Sequence, residues 1–370
     1  MKENKYKLLI ITFHRAQSYG AFLQAYALQN CNCLKEVSPV ILDYYPKRFH
    51  FKDYLFPLSG SNVVIKILKI VPLIIAKGRM HFISQKFVKD NLQITDTQYT
   101  TPESLKDASD LSVLYLTGSD QIWDLRYDDL EQILPYYLNF TDKKKFAYSS
   151  SCGQMEFYQN KQNNDYKQII NELKKFDRIT VREKYSAEDL NKCFDFNCEM
   201  MLDPTFLLYS QDWMKLAKKI NKKNYILVYG LYRNKKLYSY AKQLSKKYSM
   251  SIVNISDMFD FMKGAKNIFF VDPFKLLGLI ANAEHVITDS FHGCALSINL
   301  HKQLHIFMPG TSKKRITNIV QTFNLEDRVV RNSYQIICKE INYDEVDEIL
   351  QKERKKSNDY LCGIANHLYK

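Results

Sequence analysis

Glycine and proline are scarce in this chain, 11 and 9 among 370 residues, and they gather into no Gly/Ser or Pro-rich tract. With no acidic block either, the composition excludes long disordered linkers, and nearly the whole chain is expected to fold. The eight cysteines contain no C-x-x-C pair and no histidine spacing that would complete a zinc set, so no metal is expected and free thiols in a reducing cytoplasm are the expected state. There is no P-loop and no G-x-G-x-x-G directly after a strand, which argues against a tightly held nucleotide cofactor. The first residues, Met-Lys-Glu-Asn-Lys-Tyr-Lys, run into the apolar stretch Leu8 to Thr12, too short for a signal-peptide core and without a small-residue cleavage site. No internal repeat stands out, which excludes solenoids.

What is present is cationic and aromatic: 53 Lys+Arg against 40 Asp+Glu, a formal charge of +13, with 26 Tyr and 22 Phe. Such a surface attracts phosphorylated substrates, anionic lipid or nucleic acid. The lysines are scattered as short groups (Lys143 to Lys145, Lys222 and Lys223, Lys355 and Lys356) instead of forming one arm, and no nucleic-acid motif accompanies them, so nucleic acid is not the expected partner.

Short β-rich runs alternate with helical patterns. Lys7 to Phe13, Val40 to Tyr44, Val113 to Thr117, Phe146 to Ser150 and Arg178 to Arg182 read as strands in the first half. After Asp203-Pro204 a second series follows at Tyr225 to Tyr229, Ser251 to Ile255, His285 to Thr288 and Leu304 to Met308, with helices at about 235–248, 273–281 and 292–300. Alternation of this kind means α/β architecture with parallel sheets, and the length favours two domains. The expected division is 1–203, 204–342 and a helical segment 343–370. The segment Ser61 to Phe82 is strongly apolar yet carries Lys66, Lys69, Lys77 and Arg79. It reads either as a buried helix or as an interfacial helix meeting anionic lipid.

Three polar turns follow strands, where open α/β sheets bind ligands. The first holds His14, Ser18 and Tyr19 before a helix, and reads as a ligand turn or a plain capped turn. The second, Gly118-Ser119-Asp120-Gln121-Ile122-Trp123, offers Asp120 and Gln121 to a ligand and Trp123 to a sugar ring; alternatively Asp120 caps a helix and Trp123 is core. The third, Thr288-Asp289-Ser290-Phe291-His292-Gly293, opens a helix of small residues, a geometry suited to an anion, with His292 placed as a proton donor titrating near neutral pH.

The segments TFHRAQSYGAFLQAYAL, TGSDQIWD, FAYSSSCG, DRITVREKYSAEDL, MLDPTFLL, VITDSFHGCALSINLHKQLHIF and KKRITNIVQTFNLEDR, in that order over residues 8–330, resemble the polysaccharide pyruvyl transferase family. The resemblance implies a GT-B-like fold, two Rossmann-type doubly wound domains facing a cleft; separately, the apolar spacing of Val346, Ile349, Leu361, Ile364 and Leu368 reads as a C-terminal helix or helix pair packing back across both lobes. The resemblance also implies transfer of pyruvate from phosphoenolpyruvate to two hydroxyls of a galactose- or mannose-type hexose in capsule, exopolysaccharide or lipid-linked oligosaccharide assembly. His292 then serves as general acid and Asp120 as a catalytic partner. Arg233, Arg315, Arg182 and Arg178 are the candidates for the donor's carboxylate and phosphate, beside Ser290, Phe291 and Gly293. His14, Ser18, Tyr19, Gln121 and Trp123 would serve the acceptor. Where some members carry an arginine two residues before the motif histidine, this chain has Ser290. A nucleotide-sugar glycosyltransferase and a non-catalytic binder of anionic polymers are the competing readings.

Overall fold

The computed structural model describes residues 5–50, 63–127, 129–193, 196–231, 233–309 and 313–368; of 63–70 and 127 only the backbone is described. The chain forms two compact units. Met1–Tyr54, Ser84–Leu207 and Lys352–Lys370 make the first, Leu55–Ile83 and Leu208–Gln351 the second.

The first unit is a six-stranded sheet ordered β2-β1-β3-β4-β5-β6, with β1 Tyr6–Ile11, β2 Val40–Ile41, β3 Ser112–Thr117, β4 Lys144–Ser150, β5 Arg178–Val181 and β6 Glu199–Met200. The second holds five strands ordered β11-β10-β7-β8-β9: β7 Tyr225–Tyr229, β8 Ser251–Ser256, β9 Lys266–Phe269, β10 His285–Thr288 and β11 Gln303–Ile306. Every pairing is parallel. Parallel sheets are covered on both faces, which is why YKLLII and YILVY are nearly continuous apolar runs instead of alternating ones.

Helix starts follow the sequence's capping residues. Asn234 accepts the Lys236 and Leu237 amides at 3.0 and 3.2 Å to open Lys235–Tyr248. Asp272 accepts those of Phe274 and Lys275 at 2.9 and 3.2 Å, with Pro273 at the first helical position where its missing N–H costs nothing.

Three expectations change. The turn at Asp203-Pro204 is not the boundary: it packs on the helix Tyr19–Asn30, and Asp203 is held by Arg182 at 2.7 Å, both within the first unit. Two long helices, Val63–Asn91 and Tyr343–Asn366, each pass from one unit to the other along their length, so the division at 203 and 342 does not describe the chain. Finally, Cys33 and Cys362 are bonded as a disulfide across 329 residues of sequence, while the other six cysteines are free. The end of Tyr343–Asn366 returns to the first unit and brings Cys362 to Cys33, a juxtaposition that no cysteine spacing encodes.

Candidate functional site

Each sheet has a point where the chain's winding reverses, and there the two helices that follow neighbouring strands leave in opposite directions and open a crevice. In the second unit this point lies between β7, whose connection leads to β8, and β10, whose connection leads to β11. The Thr288-to-Gly293 turn sits there. Thr288 pairs with Tyr229 across the strand ends, and its hydroxyl donates to the Tyr229 carbonyl at 2.6 Å while accepting the Ser290 amide at 3.0 Å. Ser290 is the N-cap of Phe291–Asn299, its hydroxyl accepting the Gly293 amide at 3.2 Å. His292 therefore occupies the first helical turn, where backbone N–H groups lack intrahelical acceptors and the helix dipole favours an anion.

Gly293 is required by close approach. A Cβ there would fall on the Thr288 hydroxyl and lie 3.0 Å from the Tyr229 ring. Gly293→Ala is expected to destabilise the second unit by about 1–3 kcal/mol through overpacking, read as a lowered urea midpoint with the m-value unchanged; an unshifted midpoint would show that the turn gives way freely.

Two carboxyls share this edge. Burial pushes Asp289 up, against the Leu231 amide that donates to it at 2.7 Å, and burial also pushes Asp257, just past β8, upward against Lys77. Tyr229 is raised by burial and by the charge of Asp257, with Ser290 opposing through a hydrogen bond. Titratable groups shifted by burial at one strand edge make this crevice the candidate site of the second unit. Asp257 and Tyr229 were not expected from the sequence; their signal was position at strand ends, which is readable only once the strand order is known.

Of the four candidate arginines, two belong to this unit. Arg315 is buried in the first turn of Lys313–Thr322, a helix packed against Phe291–Asn299, and Arg233 lies in the connection after β7, largely exposed and 3.6 Å from Asp260. The other two are elsewhere. Arg178 starts β5, at the edge opposite the ligand edge, with its guanidinium 4.7 Å over the Tyr360 ring. Arg182 is buried among Asp203, Glu183 and Asp120 at 2.7, 3.3 and 3.7 Å. Both belong to the first unit, not to the unit that holds His292.

In the first unit the reversal lies between β1 and β3, and the two expected polar turns meet there. The Thr12 hydroxyl donates to the Ser119 carbonyl at 3.1 Å and accepts from Gln24 at 2.9 Å. Asp120 has φ of 72°, a left-handed conformation uncommon for a side chain other than Asn or Asp, and its carboxylate accepts the Gln121 amide at 2.8 Å. Gln121 and Ser18 are half-buried, and Gln121 reaches Asp124 at 3.2 Å. Three residues expected to meet the acceptor turn inward. Trp123 is wholly buried, stacked on Tyr137 at 5.0 Å with its indole N–H on the Tyr136 carbonyl at 2.9 Å. Tyr19 is buried, and His14 spends its ring nitrogens on Asp43 at 3.0 Å and the Thr12 carbonyl at 3.1 Å. Asp43, unforeseen in the sequence, is also gripped by Arg15 at 2.5 and 2.6 Å; burial raises its carboxyl, but His14 and Arg15 outweigh this and hold it well below the usual range. Among the described residues no three His, Cys, Asp or Glu side chains converge as a metal set.

Comparison with known proteins now bears on these two crevices. A family model described as polysaccharide pyruvyl transferase matches residues 19–309, which takes in the Thr288-to-Gly293 and Gly118-to-Gln121 turns and begins after His14 and Ser18. No curated protein matches the chain. Among solved structures, a UDP-glucosyltransferase from Polygonum tinctorium is similar over 100% of both chains at 10% identity, with a TM-score of 0.54. A UDP-GlcNAc 2-epimerase from Methanocaldococcus jannaschii aligns over 98% of this chain and 99% of its own at 12% identity and a TM-score of 0.46. At such identities the likeness is one of fold: the architecture is GT-B-like, two Rossmann-type units.

Proposed function

Because the chain belongs to the polysaccharide pyruvyl transferase family, we propose that it moves the enolpyruvyl group of phosphoenolpyruvate onto two hydroxyls of a galactose- or mannose-type hexose, releasing phosphate. Membership makes it a transferase with a polysaccharide acceptor; the hexose, the capsular or lipid-linked setting and the residue roles are our reading. In the reaction the donor's methylene carbon takes a proton and becomes methyl. One sugar hydroxyl adds to the neighbouring carbon, phosphate leaves, and the second hydroxyl closes the ketal; the two hydroxyl protons balance those gained by the methyl and the phosphate.

The observation that carries this reading is the placement of His292 in the first turn of a capped helix at the second unit's winding reversal. An imidazole there can deliver a proton at neutral pH to a donor whose charged groups sit at the helix N-terminus. Arg315 and Arg233 are the guanidinium partners we assign to the donor's phosphate and carboxylate. Asp120 and Gln121, with Ser18, are assigned to the acceptor hydroxyls in the first unit. We expect no tightly held cofactor and a cytoplasmic setting at the inner membrane face. Among the described residues no helix is long and apolar enough to cross a membrane.

A second reading is favoured by one observation, the fold likeness to a UDP-glucosyltransferase: a nucleotide-sugar donor in the same second-unit crevice. Incubation with phosphoenolpyruvate and a panel of aryl hexosides separates the two. Acceptor-dependent phosphate release with a product heavier by one pyruvate ketal is the expected result. Consumption of a UDP-sugar, with phosphoenolpyruvate untouched across the panel, would replace our reading with the glycosyltransferase.

A further inference from the structure

Two stretches far apart in sequence leave large apolar side chains in solvent within the second unit. On the helix Val63–Asn91, Val71, Ile75 and Phe82 are 50%, 47% and 64% exposed; in the connection after β8, Met258, Phe259 and Phe261 are 47%, 38% and 61% exposed. Val71, Ile75, Arg79 and Phe82 recur at steps of four, four and three, so they form one outward stripe of the helix with a cation set among the apolar groups. Lys77 is turned away from that stripe, and its charge acts on Asp257, the first residue after β8. Both stretches belong to the second unit. β8 pairs with β7, Ile255 opposite Tyr229, and Tyr229 pairs with Thr288, so the apolar connection leaves its strand beside the crevice that holds His292.

The charges around these side chains are of one effective sign. Burial pushes the Asp257 carboxyl up, toward its neutral form, and Asp260 lies against Arg233 and the Tyr238 hydroxyl, while Arg79, Lys263 and Lys266 are exposed. Clustered exposed apolar groups mark interaction surfaces, and apolar groups interleaved with cations match the boundary between acyl chains and anionic headgroups. A protein partner complementary to this face would need acids around an apolar centre, whereas a bilayer of anionic phospholipid supplies both layers at once.

We propose that the stripe Val71 to Phe82 and the connection Met258 to Phe261 together dock the second unit on an anionic phospholipid bilayer, with the His292 crevice at the membrane surface. Delivery of a lipid-linked acceptor to that crevice rests on the ketal-transfer reading; the docking itself does not.

The test is flotation of the full chain with vesicles of phosphatidylcholine alone or containing about 30% phosphatidylglycerol, at low and high salt. The protein is expected to float with the anionic vesicles only and to be released by salt. Phe82→Ser with Phe261→Ser should reduce the bound fraction by about 10-fold, and Arg79→Glu with Lys263→Glu should do the same without touching an apolar side chain. Both pairs lie on the exterior, so their melting temperatures should match the wild type. Absence of binding to anionic vesicles, or unchanged binding by both folded double variants, would overturn the proposal. So would a wild-type dimer that the Phe82/Phe261 pair converts to monomer, because the face would then be covered by a second copy. Phosphate release with a soluble aryl hexoside, run in parallel, should be equal in all three proteins; its absence in the wild type would remove the ketal-transfer reading and leave the vesicle result standing.

Discussion

His292→Gln should lower kcat for ketal formation by about 10³, within the 10²–10⁴ range that a positioned general acid contributes, while the dissociation constant for phosphoenolpyruvate stays within about 3-fold of wild type. The asymmetry follows from the local structure. The helix Phe291–Asn299 is capped by Ser290, not by His292, so the turn and its first-turn amides survive the substitution. Glutamine keeps much of the volume and a hydrogen-bonding end but cannot give up a proton. A loss confined to kcat therefore reports an interaction made in the transition state, and a rise in KM alone would report donor binding. His292→Ala would add a cavity at a side chain that is nearly buried, so its melting temperature must be compared before its rate is interpreted. Should His292→Gln retain more than a tenth of the wild-type rate, the proton must come from another group. The alternatives at the same sheet edge are Asp289 and Asp257, carboxyls that burial shifts toward the protonated form.

The architecture was legible because parallel strands are written in a compact code. Tyr225–Tyr229 and His285–Thr288 are strands with the bounds their apolar runs suggest, and Lys235–Tyr248 and Pro273–Ala281 begin where Asn234 and Asp272 cap them. Two strands escaped. Glu199–Met200 is two residues long, and Lys266–Phe269 is an edge strand with no fully buried residue, so neither shows the apolar run that marks an inner strand. Domain limits escaped for a different reason: a helix that passes between units carries one continuous periodicity, and nothing in the composition of Val63–Asn91 or Tyr343–Asn366 marks where the unit changes.

The site divides along the same line. The placement of the turns Thr288 to Gly293 and Gly118 to Gln121 was legible, since both follow strands and lie where the winding reverses. Residues whose role depends on a distant partner were not. His14 is near Asp43 because β1 and β2 are paired, and the indole of Trp123 faces Tyr137 and not solvent because the chain between them folds back beneath it. Arginines were the least legible. Their long side chains are compatible with an anion site, a surface pair or a buried network, and sequence position alone does not choose among these.

Arg182 makes that choice testable. Its guanidinium is sealed in the first unit between Asp203, Glu183 and Asp120, and Asp203 also caps the following turn through the Thr205 amide at 3.0 Å, while Glu183 accepts the Ser151 hydroxyl at 2.6 Å. Removing the cation leaves acids in a buried place without their countercharge, a change that costs about 3–5 kcal/mol. Arg182→Ala is therefore expected to lower the urea midpoint sharply, and the fraction that remains folded should bind phosphoenolpyruvate with unchanged affinity. Arg182→Lys keeps the charge but replaces a planar fork by a single point, so it should lose less stability and still not restore the full network. Asp203→Asn combined with Arg182→Ala should be less destabilising than the sum of the two, because the second change removes an acid that the first has stranded. A donor clamp would behave in the opposite way, with KM for phosphoenolpyruvate rising steeply at an unaltered urea midpoint. That outcome would return Arg182 to the catalytic chemistry and require the first unit to share the donor.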